Sequence, residues 1–197
     1  MCGIVGAVAQ RDAAAILLEG LNRLEYRGYD SAGMALLGGS NAGFQRHRVT
    51  GRVGALAQLQ AKHPLKGHVG IAHTRWATHG VPSEANAHPH ICQNLVAVVH
   101  NGIIENYAAL RAEQQGHHFT SETDTEVVAH LIYDFHQRGD SLLAAVQQAA
   151  ACLQGSYALG VISTREPHIL VAARHGSPLV VGIGFQEYFI ASDVLAL

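Results

Sequence analysis

The chain has 197 residues, of which 14% are charged, and its formal net charge at pH 7 is −2. This length suits a single domain with a sizeable core, and so low a charged fraction indicates that much of the chain is interior. A net charge this close to zero gives no reason to expect a nucleic acid or an anionic membrane as a partner. No apolar run approaches the roughly 18 residues of a membrane span.

The predicted elements begin with a buried strand over the first nine residues, which are uncharged and mostly apolar. Asp12 is a candidate N-cap for a helix that extends to about Tyr26, with its apolar residues on one stripe. After this helix we expect a hairpin of two strands, a short helix and a further strand, over residues 31–37, 44–49, 53–61 and 68–74.

In the second half, a continuous apolar strand over 94–100 is predicted to stop at Asn101-Gly102, a dipeptide typical of tight turns. The segment 123–126 has the pattern of a capping box and is expected to start a helix. Further helices are expected over 106–115 and 140–153, and strands over 157–163, 168–173, 178–182 and 187–191. Because strands and helices come in blocks, the predicted fold class is α+β, with antiparallel sheets and helices packed outside them.

The three cysteines, Cys2, Cys92 and Cys152, form no CxxC pair and no even disulfide framework. They suit a reducing cytoplasm best. Among the 14 histidines, His88 and His90 are the only close pair of HxH form, and they fall in a stretch that reads as a polar loop. No set of residues has metal-ligand spacing, so the sequence predicts neither a metal nor a cofactor.

The thiol of Cys2 lies one residue behind the initiator methionine. If Met1 is removed, the sulfur and a free α-amine belong to the same residue. A thiol is the most intrinsically nucleophilic side chain used in covalent catalysis, and an α-amine, with an ordinary pKa of about 7.7–8.0, is partly a free base at neutral pH. Nucleophile and base would then be pre-assembled. The alternative is a small buried cysteine that happens to be second in the chain.

Three further stretches carry polar groups that suit chemistry, at residues 25–33, 73–80 and 98–102. In the last of them a buried strand ends in the Asn101 side chain and the Gly102 N–H, a pair that can bind a developing oxyanion. Arg75 and Asp124 add a cation and an anion, which a zwitterionic amino acid needs. Taken singly, each feature also has a structural explanation as a turn, a surface ion pair or a first-turn helix acid.

The opening CGIVG (2–6) is similar to the start of the class II glutamine amidotransferases, which are N-terminal nucleophile hydrolases. Within that class, five segments resemble the glutaminase domain of glucosamine-6-phosphate synthases: LEYRGYDSAG (24–33), HTRWATHG (73–80), NAHPH (86–90), HNGIIEN (100–106) and SETDTE (121–126). The resemblance covers essentially the whole chain, and five motifs in order are far more specific than any one of them.

The resemblance implies a four-layer αββα fold, with two antiparallel sheets between helical layers. It also implies hydrolysis of L-glutamine to glutamate and ammonia through a γ-glutamyl thioester on Cys2. The α-amine of Cys2 would move protons, and the Asn101 side chain with the Gly102 N–H would form the oxyanion hole. Arg27 would help to orient the N-terminus, and Trp76 would border the exit route for ammonia.

The same resemblance implies how the substrate is held. Arg75 would bind the α-carboxylate of glutamine, with Thr78 and His79 beside it. Asp124 would bind the α-ammonium group, with Gly102 again nearby.

We expect residues 1–197 to be a glutaminase domain that is truncated at its C-terminal end, because the apolar run 190–197 carries no stop signal. In a full-length enzyme, a sugar isomerase domain would use the ammonia to aminate fructose 6-phosphate, and the chain would form a homodimer. The alternatives are a non-catalytic regulatory or interaction domain of the same fold, another N-terminal-cysteine amidase, or the glutaminase domain of another class II amidotransferase. The presence of Cys2, Arg75, Asn101 and Asp124 argues against the first alternative. Arg75 and Asp124 suit an α-amino acid better than a simple acyl-amide.

Overall fold

Two antiparallel sheets form the centre of the structure, a computed structural model that describes residues 2–38, 43–77 and 80–197. The strands, in chain order, are β1 (Gly3–Ala9), β2 (Ser31–Leu37), β3 (Phe44–Thr50), β4 (Val69–Arg75), β5 (His90–Cys92), β6 (Val96–Ile104), β7 (Gly155–Ser163), β8 (Leu170–His175), β9 (Val180–Gly184) and β10 (Glu187–Ala191). The larger sheet has the order β3-β2-β4-β1-β10-β9 and the smaller one the order β5-β6-β7-β8. Neighbouring strands pair antiparallel throughout.

Helices cover the outer face of each sheet. The larger sheet carries α1 (Ala13–Arg23) and α2 (Val53–Lys62), and the smaller one carries α3 (Tyr107–Glu113), α4 (Asp124–Gln137) and α5 (Leu142–Cys152). Between the sheets lies a separate apolar layer that includes Ile4 of β1, Ile71 of β4 and Val99 of β6. The layers therefore follow the order αββα, which confirms the predicted fold class. In the described residues, no helix is both long and apolar enough to cross a membrane.

Side-chain caps fix the starts of the helices that frame the site. The carboxylate of Asp12 accepts a hydrogen bond from the Ala14 N–H at 3.2 Å, as predicted for an N-cap. At α4, the hydroxyl of Thr123 accepts from the Glu126 N–H at 3.3 Å, which is half of the predicted capping box. The other half is missing, because the Glu126 carboxylate accepts from the backbone and hydroxyl groups of Thr120 and Ser121 instead.

The prediction that a strand stops in a tight turn at Asn101-Gly102 is wrong. Strand β6 continues through both residues to Ile104, with Asn101 opposite Ala158 and Gly102 opposite Tyr157 of β7. Gly102 has φ +129°, and a Cβ atom there would lie 1.9 Å from the Ser156 carbonyl oxygen. The glycine therefore serves a close approach between two paired strands rather than a reversal of the chain. Residues 39–42, in the connection between the two strands of the predicted hairpin, lie outside the described residues.

The topology brings three distant chain segments to one place. Gly3, the first residue of β1, pairs with Thr74 near the end of β4, so Cys2 lies beside the point where β4 ends. Strand β6, in the other sheet, packs against β1 and β4. The residues that the sequence singled out at 2, 73–77 and 100–102 consequently meet between the sheets.

Candidate active site

The Cys2 thiol is held by the backbone of the segment that leaves β4. The Trp76 N–H donates a hydrogen bond to the Cys2 sulfur at 3.2 Å, and the thiol is directed at the Trp76 carbonyl oxygen at 3.6 Å. Burial raises the pKa of Cys2 above its ordinary value, although the Trp76 N–H and the charge of Arg75 act in the opposite direction. The thiol is therefore mainly protonated at neutral pH, and a reaction at this sulfur requires a base.

Asn101 of β6 reaches the same residue from the other sheet. Its Nδ2 donates to the Cys2 carbonyl oxygen at 3.2 Å, and its Oδ1 lies 2.8 Å from Nε2 of His73. If the Asn101 amide were flipped, its Oδ1 would face the Cys2 carbonyl oxygen and no hydrogen bond could form. The orientation of the amide is therefore determined. It follows that the His73 ring carries its proton on Nε2 and donates to Asn101. Asn101, 99 residues from Cys2 in the chain, thus contacts the backbone of Cys2, and His73, 28 residues from Asn101, holds the Asn101 amide.

A group of buried neutral histidines supports this amide from behind. The ring of His88 stacks on His73 with centroids 4.2 Å apart, and His90 forms a 2.9 Å hydrogen bond with Thr123. Burial lowers the pKa of His73 to about 3 and those of His88 and His90 well below the ordinary value. His88 and His90, the HxH pair that the sequence analysis placed in a polar loop, are therefore interior. Their rings pack around the groups that hold Asn101 in place.

Two opposite charges lie in a small cavity beside Cys2. Arg75, the last residue of β4, and Asp124, the first residue of α4, are both buried and both line it. The Arg75 guanidinium donates to the Gly80 carbonyl oxygen at 3.4 Å, and Asp30 lies 4.0 Å away. The Asp124 carboxylate accepts from the Ile104 N–H at 2.9 Å. Opposite charges that line one cavity from two different elements can pair with the two ends of an amino acid.

A larger cavity of about 550 Å³ opens on the other side of the thiol. Its lining residues are Cys2, Arg27, Trp76, Asn101, Gly102, Ile103, Ser177 and Pro178. The small cavity with the charged pair shares Cys2, Trp76 and Gly102 with it, and its volume of about 10 Å³ is room for about one water molecule. The indole of Trp76 is 55% exposed. A ligand that occupied both cavities would therefore pass the thiol.

The Arg27 side chain connects the residue before β1 to the C-terminal segment of the chain. Its guanidinium forms an ion pair with Asp193 and donates to the Cys2 carbonyl oxygen at 3.4 Å. Ser192, the neighbour of Asp193, accepts from the Ile4 N–H at 3.0 Å. The pKa of Asp193 is lowered to about 2 by hydrogen bonds from the Leu195 N–H, Tyr26 and Arg27. The resemblance implied that Arg27 helps to orient the N-terminus, and the structure has its guanidinium in contact with the backbone of Cys2.

Two other carboxylates and one imidazole belong to this site although the sequence assigned them no role there. Asp30 accepts a hydrogen bond from the Ala77 N–H and so fixes the segment that holds the thiol. Asp193 holds Arg27, and His73 holds Asn101. Asp30 and His73 lie inside the polar stretches 25–33 and 73–80 that the sequence analysis singled out. Asp193 lies in an apolar C-terminal segment, where no local pattern indicated a functional residue.

The structure brings together most of the residues named from the sequence. Cys2, Asn101, Gly102, Trp76 and Arg27 line the large cavity, and Arg75 and Asp124 line the small one. Thr78, His79 and Met1 lie outside the described residues. Away from this site, the described residues include one group with donor atoms close enough for a metal ion, Cys92, His117 and His130.

Comparisons with known proteins agree with this geometry. Residues 73–197 match the glutamine amidotransferase domain family. Over its whole length the chain is 58% identical to glutamine–fructose-6-phosphate aminotransferases (isomerizing) of Legionella pneumophila strain Paris and Salmonella typhimurium, and the match covers 33% and 32% of those proteins. The chain therefore spans about a third of the length of these relatives.

Two solved structures share the fold. Glutamine phosphoribosylpyrophosphate amidotransferase from B. subtilis superposes with a TM-score of 0.83 at 29% identity, over 99% of this chain and 42% of the other. A glutamine aminotransferase class-II domain protein from Silicibacter pomeroyi superposes with a TM-score of 0.66 at 17% identity, over 96% of this chain and 88% of the other. At that identity the second likeness concerns the fold alone.

Proposed function

Because the chain belongs to the glutamine amidotransferase domain family, we propose that it cleaves the side-chain amide of L-glutamine with Cys2 as the nucleophile. The products would be glutamate and ammonia. The observation that carries this proposal is the meeting of the Cys2 thiol and the Asn101 amide in one cavity, although 99 residues of sequence separate them. A nucleophile next to a fixed amide donor is the arrangement that acyl transfer requires.

In the first step, the Cys2 sulfur bonds to the amide carbon of glutamine and the α-amine of Cys2 takes the thiol proton. Such a base is needed because burial raises the pKa of this thiol. The amine then returns the proton to the leaving nitrogen, the carbon–nitrogen bond breaks, and ammonia departs from a γ-glutamyl thioester. In the second step, water adds to the thioester and glutamate leaves with the thiol restored.

The oxyanion of both steps would accept hydrogen bonds from the Asn101 side chain and the Gly102 N–H. An amide nitrogen has two N–H bonds, so Asn101 can donate to the Cys2 carbonyl oxygen and to the substrate at once. The position of Asn101 does not depend on the substrate, because its Oδ1 is already fixed by His73. Donors fixed in advance are the ones that stabilise developing charge most effectively.

For substrate binding, we assign the α-carboxylate of glutamine to Arg75, with Thr78 and His79 beside it, and the α-ammonium group to Asp124. The two side chains line one cavity next to the thiol. That cavity has room for about one water molecule, so its walls must open when an amino acid binds. Trp76 is exposed and lines both cavities, so it is the residue best placed to move when the substrate binds. This position also suits the predicted role of Trp76 at the exit route for ammonia.

The names of the relatives extend the proposal to a longer protein. Glutamine–fructose-6-phosphate aminotransferases are about three times as long as this chain, which matches a third of them. We infer that residues 1–197 form a glutaminase domain, and that its ammonia would aminate fructose 6-phosphate on an isomerase domain of a longer, dimeric chain. The chain is 58% identical to these proteins and only 29% identical to glutamine phosphoribosylpyrophosphate amidotransferase, which favours the first assignment. The cytoplasmic location stays a prediction.

The test compares two forms of the chain, with and without Met1, each confirmed by intact mass and used at equal folded concentration. With Met1 attached, the Cys2 nitrogen is a planar amide and cannot act as a base. We expect glutamate and ammonia release from the processed form and nearly none from the other. Equal rates in the two forms would show that the α-amine is not the base, and no release from either form would refute the proposed activity.

A further inference from the structure

A second thiol lies among histidines on the helical side of the smaller sheet. Cys92 ends β5, His130 is in α4, and His117 is in the loop between α3 and α4. We refer to these three residues as the Cys92 cluster. One donor atom from each lies within 4.8 Å of the others, and Cys92 and His130 are only 1% and 6% exposed. A sulfur and two imidazoles at such separations are ligands that zinc-type ions prefer.

Both imidazoles of the Cys92 cluster place one nitrogen near a carboxylate. Nδ1 of His130 lies 3.1 Å from the Cys92 sulfur, and its Nε2, which has no hydrogen-bond partner among the described residues, lies 3.9 Å from Glu126. Nε2 of His117 lies 2.8 Å from Asp134. Histidines that bind metals almost always donate their other ring N–H to a carboxylate or carbonyl group, and among these two His117 has such a contact.

The electrostatics around the sulfur favour a cation. Asp134 lies 2.8 Å from Nε2 of His117 and Glu126 lies 3.9 Å from Nε2 of His130, so two carboxylates border the Cys92 cluster. A divalent ion would stabilise the thiolate and relieve the excess of negative charge that the two carboxylates create.

In the described arrangement the two imidazoles are not yet oriented to coordinate one ion. The rings of His117 and His130 stack with centroids 4.3 Å apart and planes inclined by 18°, so their lone pairs cannot both point at one atom. One ring must turn before both can coordinate. His117 is the ring that would turn, because it lies in a loop, whereas His130 is in a helix and is enclosed by Phe119 and the Cys92 sulfur. The 2.8 Å hydrogen bond of His117 with Asp134 would have to shift with it.

We propose that the Cys92 cluster binds one divalent transition-metal ion of the zinc type, with the Cys92 sulfur and one nitrogen each from His117 and His130 as ligands. Bond lengths of about 2.3 Å to sulfur and 2.0 Å to nitrogen place tetrahedral ligand atoms about 3.3–3.6 Å apart. The sulfur-to-nitrogen distance of 3.1 Å at His130 already approaches this value. Asp134 then orients His117 from outside, and water completes the coordination.

The test uses Co²⁺ as the probe on the whole chain with Cys2→Ala and Cys152→Ser, so that Cys92 is the only thiol left. We expect one equivalent to bind, with a thiolate-to-cobalt absorption band and the visible bands of a tetrahedral site, and Zn²⁺ to displace it. A titration without the thiolate band would overturn the proposal. Because Cys2→Ala removes the proposed nucleophile, this result is independent of glutamine hydrolysis.

Matched variants identify the ligands. Cys92→Ser in the same background should abolish the thiolate band, and His117→Ala should weaken binding strongly, whereas His118→Ala, a change at the exposed neighbouring histidine, should leave it unchanged. Asp134→Asn should lower affinity about 10- to 100-fold. If Cys92→Ser does not fold, the rim variants His117→Ala and His118→Ala decide the question. Equal affinity in these two variants would contradict the assignment.

Discussion

Two thiols of the chain, the partly buried one of Cys2 and the buried one of Cys92, each contact a nitrogen, and only the first lines a cavity that a substrate could enter. The Cys2 sulfur is 3.2 Å from the Trp76 nitrogen, and the Cys92 sulfur is 3.1 Å from Nδ1 of His130. Burial raises the pKa of both. Their neighbours differ, because Cys2 lines a cavity of about 550 Å³ together with Asn101, whereas Cys92 lies inside the apolar core between the smaller sheet and α4.

The comparison shows that a nitrogen contact and a shifted pKa do not make a thiol a nucleophile. In the proposed mechanism, Cys2 differs from Cys92 in its access for a substrate, in a base that belongs to the same residue once Met1 is removed, and in donors for the oxyanion. The neutral imidazole beside Cys92 could accept a proton, but Cys92 is 1% exposed and lies in the apolar core, out of reach of a substrate as large as glutamine. The following experiments test whether Cys2 and Cys92 differ in this way.

The largest difference is expected when each thiol is removed in turn. Cys2→Ala should abolish glutamine hydrolysis, because no other group can form the thioester, while Cys92→Ala should retain the rate per folded molecule. A glutamine-like electrophile should label Cys2 and spare Cys92 and Cys152, as read by peptide mass mapping. Main labelling at Cys92 would reverse the assignment of the nucleophile.

The next largest effect is expected at the charged pair. Arg75→Ala or Asp124→Ala leaves one end of the bound amino acid unpaired, and loss of one partner of a buried charge pair costs about 2–5 kcal/mol. The KM for glutamine should therefore rise about 30- to 5000-fold in each variant. Labelling of Cys2 by a small neutral reagent should change little and serves as the control. An unaltered KM in either variant would place that residue outside the substrate site.

Asn101→Ala should act on the rate rather than on binding. Loss of one oxyanion donor lowers kcat by about 10²- to 10³-fold, with a smaller effect on ground-state binding. Steady-state kinetics with glutamine separate the two parameters. A change confined to KM would mean that Asn101 contacts the substrate and that the oxyanion is stabilised elsewhere. Cys92→Ala is the matched control in the same sheet, and its kcat should equal that of the parent chain.

Much of this fold could be predicted from the sequence, because its signals are local. The apolar run of β1, the N-cap at Asp12 and the blocks of strands and helices are each visible within about ten residues of chain. The αββα architecture itself came from the resemblance of several motifs, since periodicity reports elements and not the way in which two sheets stack. Cys2, Trp76, Asn101 and Gly102, which the sequence analysis named for the site, line one cavity in the structure, and their roles there stay predictions.

The sequence-based predictions that were wrong share one physical cause, which is contact between residues that are distant in the sequence. Asn101-Gly102 has the sequence of a turn, yet β7 arrives more than 50 residues later and extends the strand through it. His88 and His90 were placed in a polar loop, yet their rings are interior and pack near a segment that is distant in sequence. Asp193 gave no signal because its partner, Arg27, is 166 residues away. Such contacts depend on tertiary structure, which no local pattern contains.

The smallest expected effect concerns His73, which holds the Asn101 amide and does not touch the substrate in this mechanism. His73→Leu removes the donor to Oδ1, and loss of one such hydrogen bond, worth about 0.5–1.5 kcal/mol, should lower kcat by up to about tenfold. KM should stay unchanged, and His73→Gln, whose amide nitrogen can take the place of Nε2, should restore most of the rate. Because burial, His100 and Arg75 lower the pKa of His73 to about 3, its proton should not contribute to the pH profile of kcat above about pH 4. A variant whose kcat and KM change together, with no recovery in His73→Gln, would show that His73 only maintains the packing of the core.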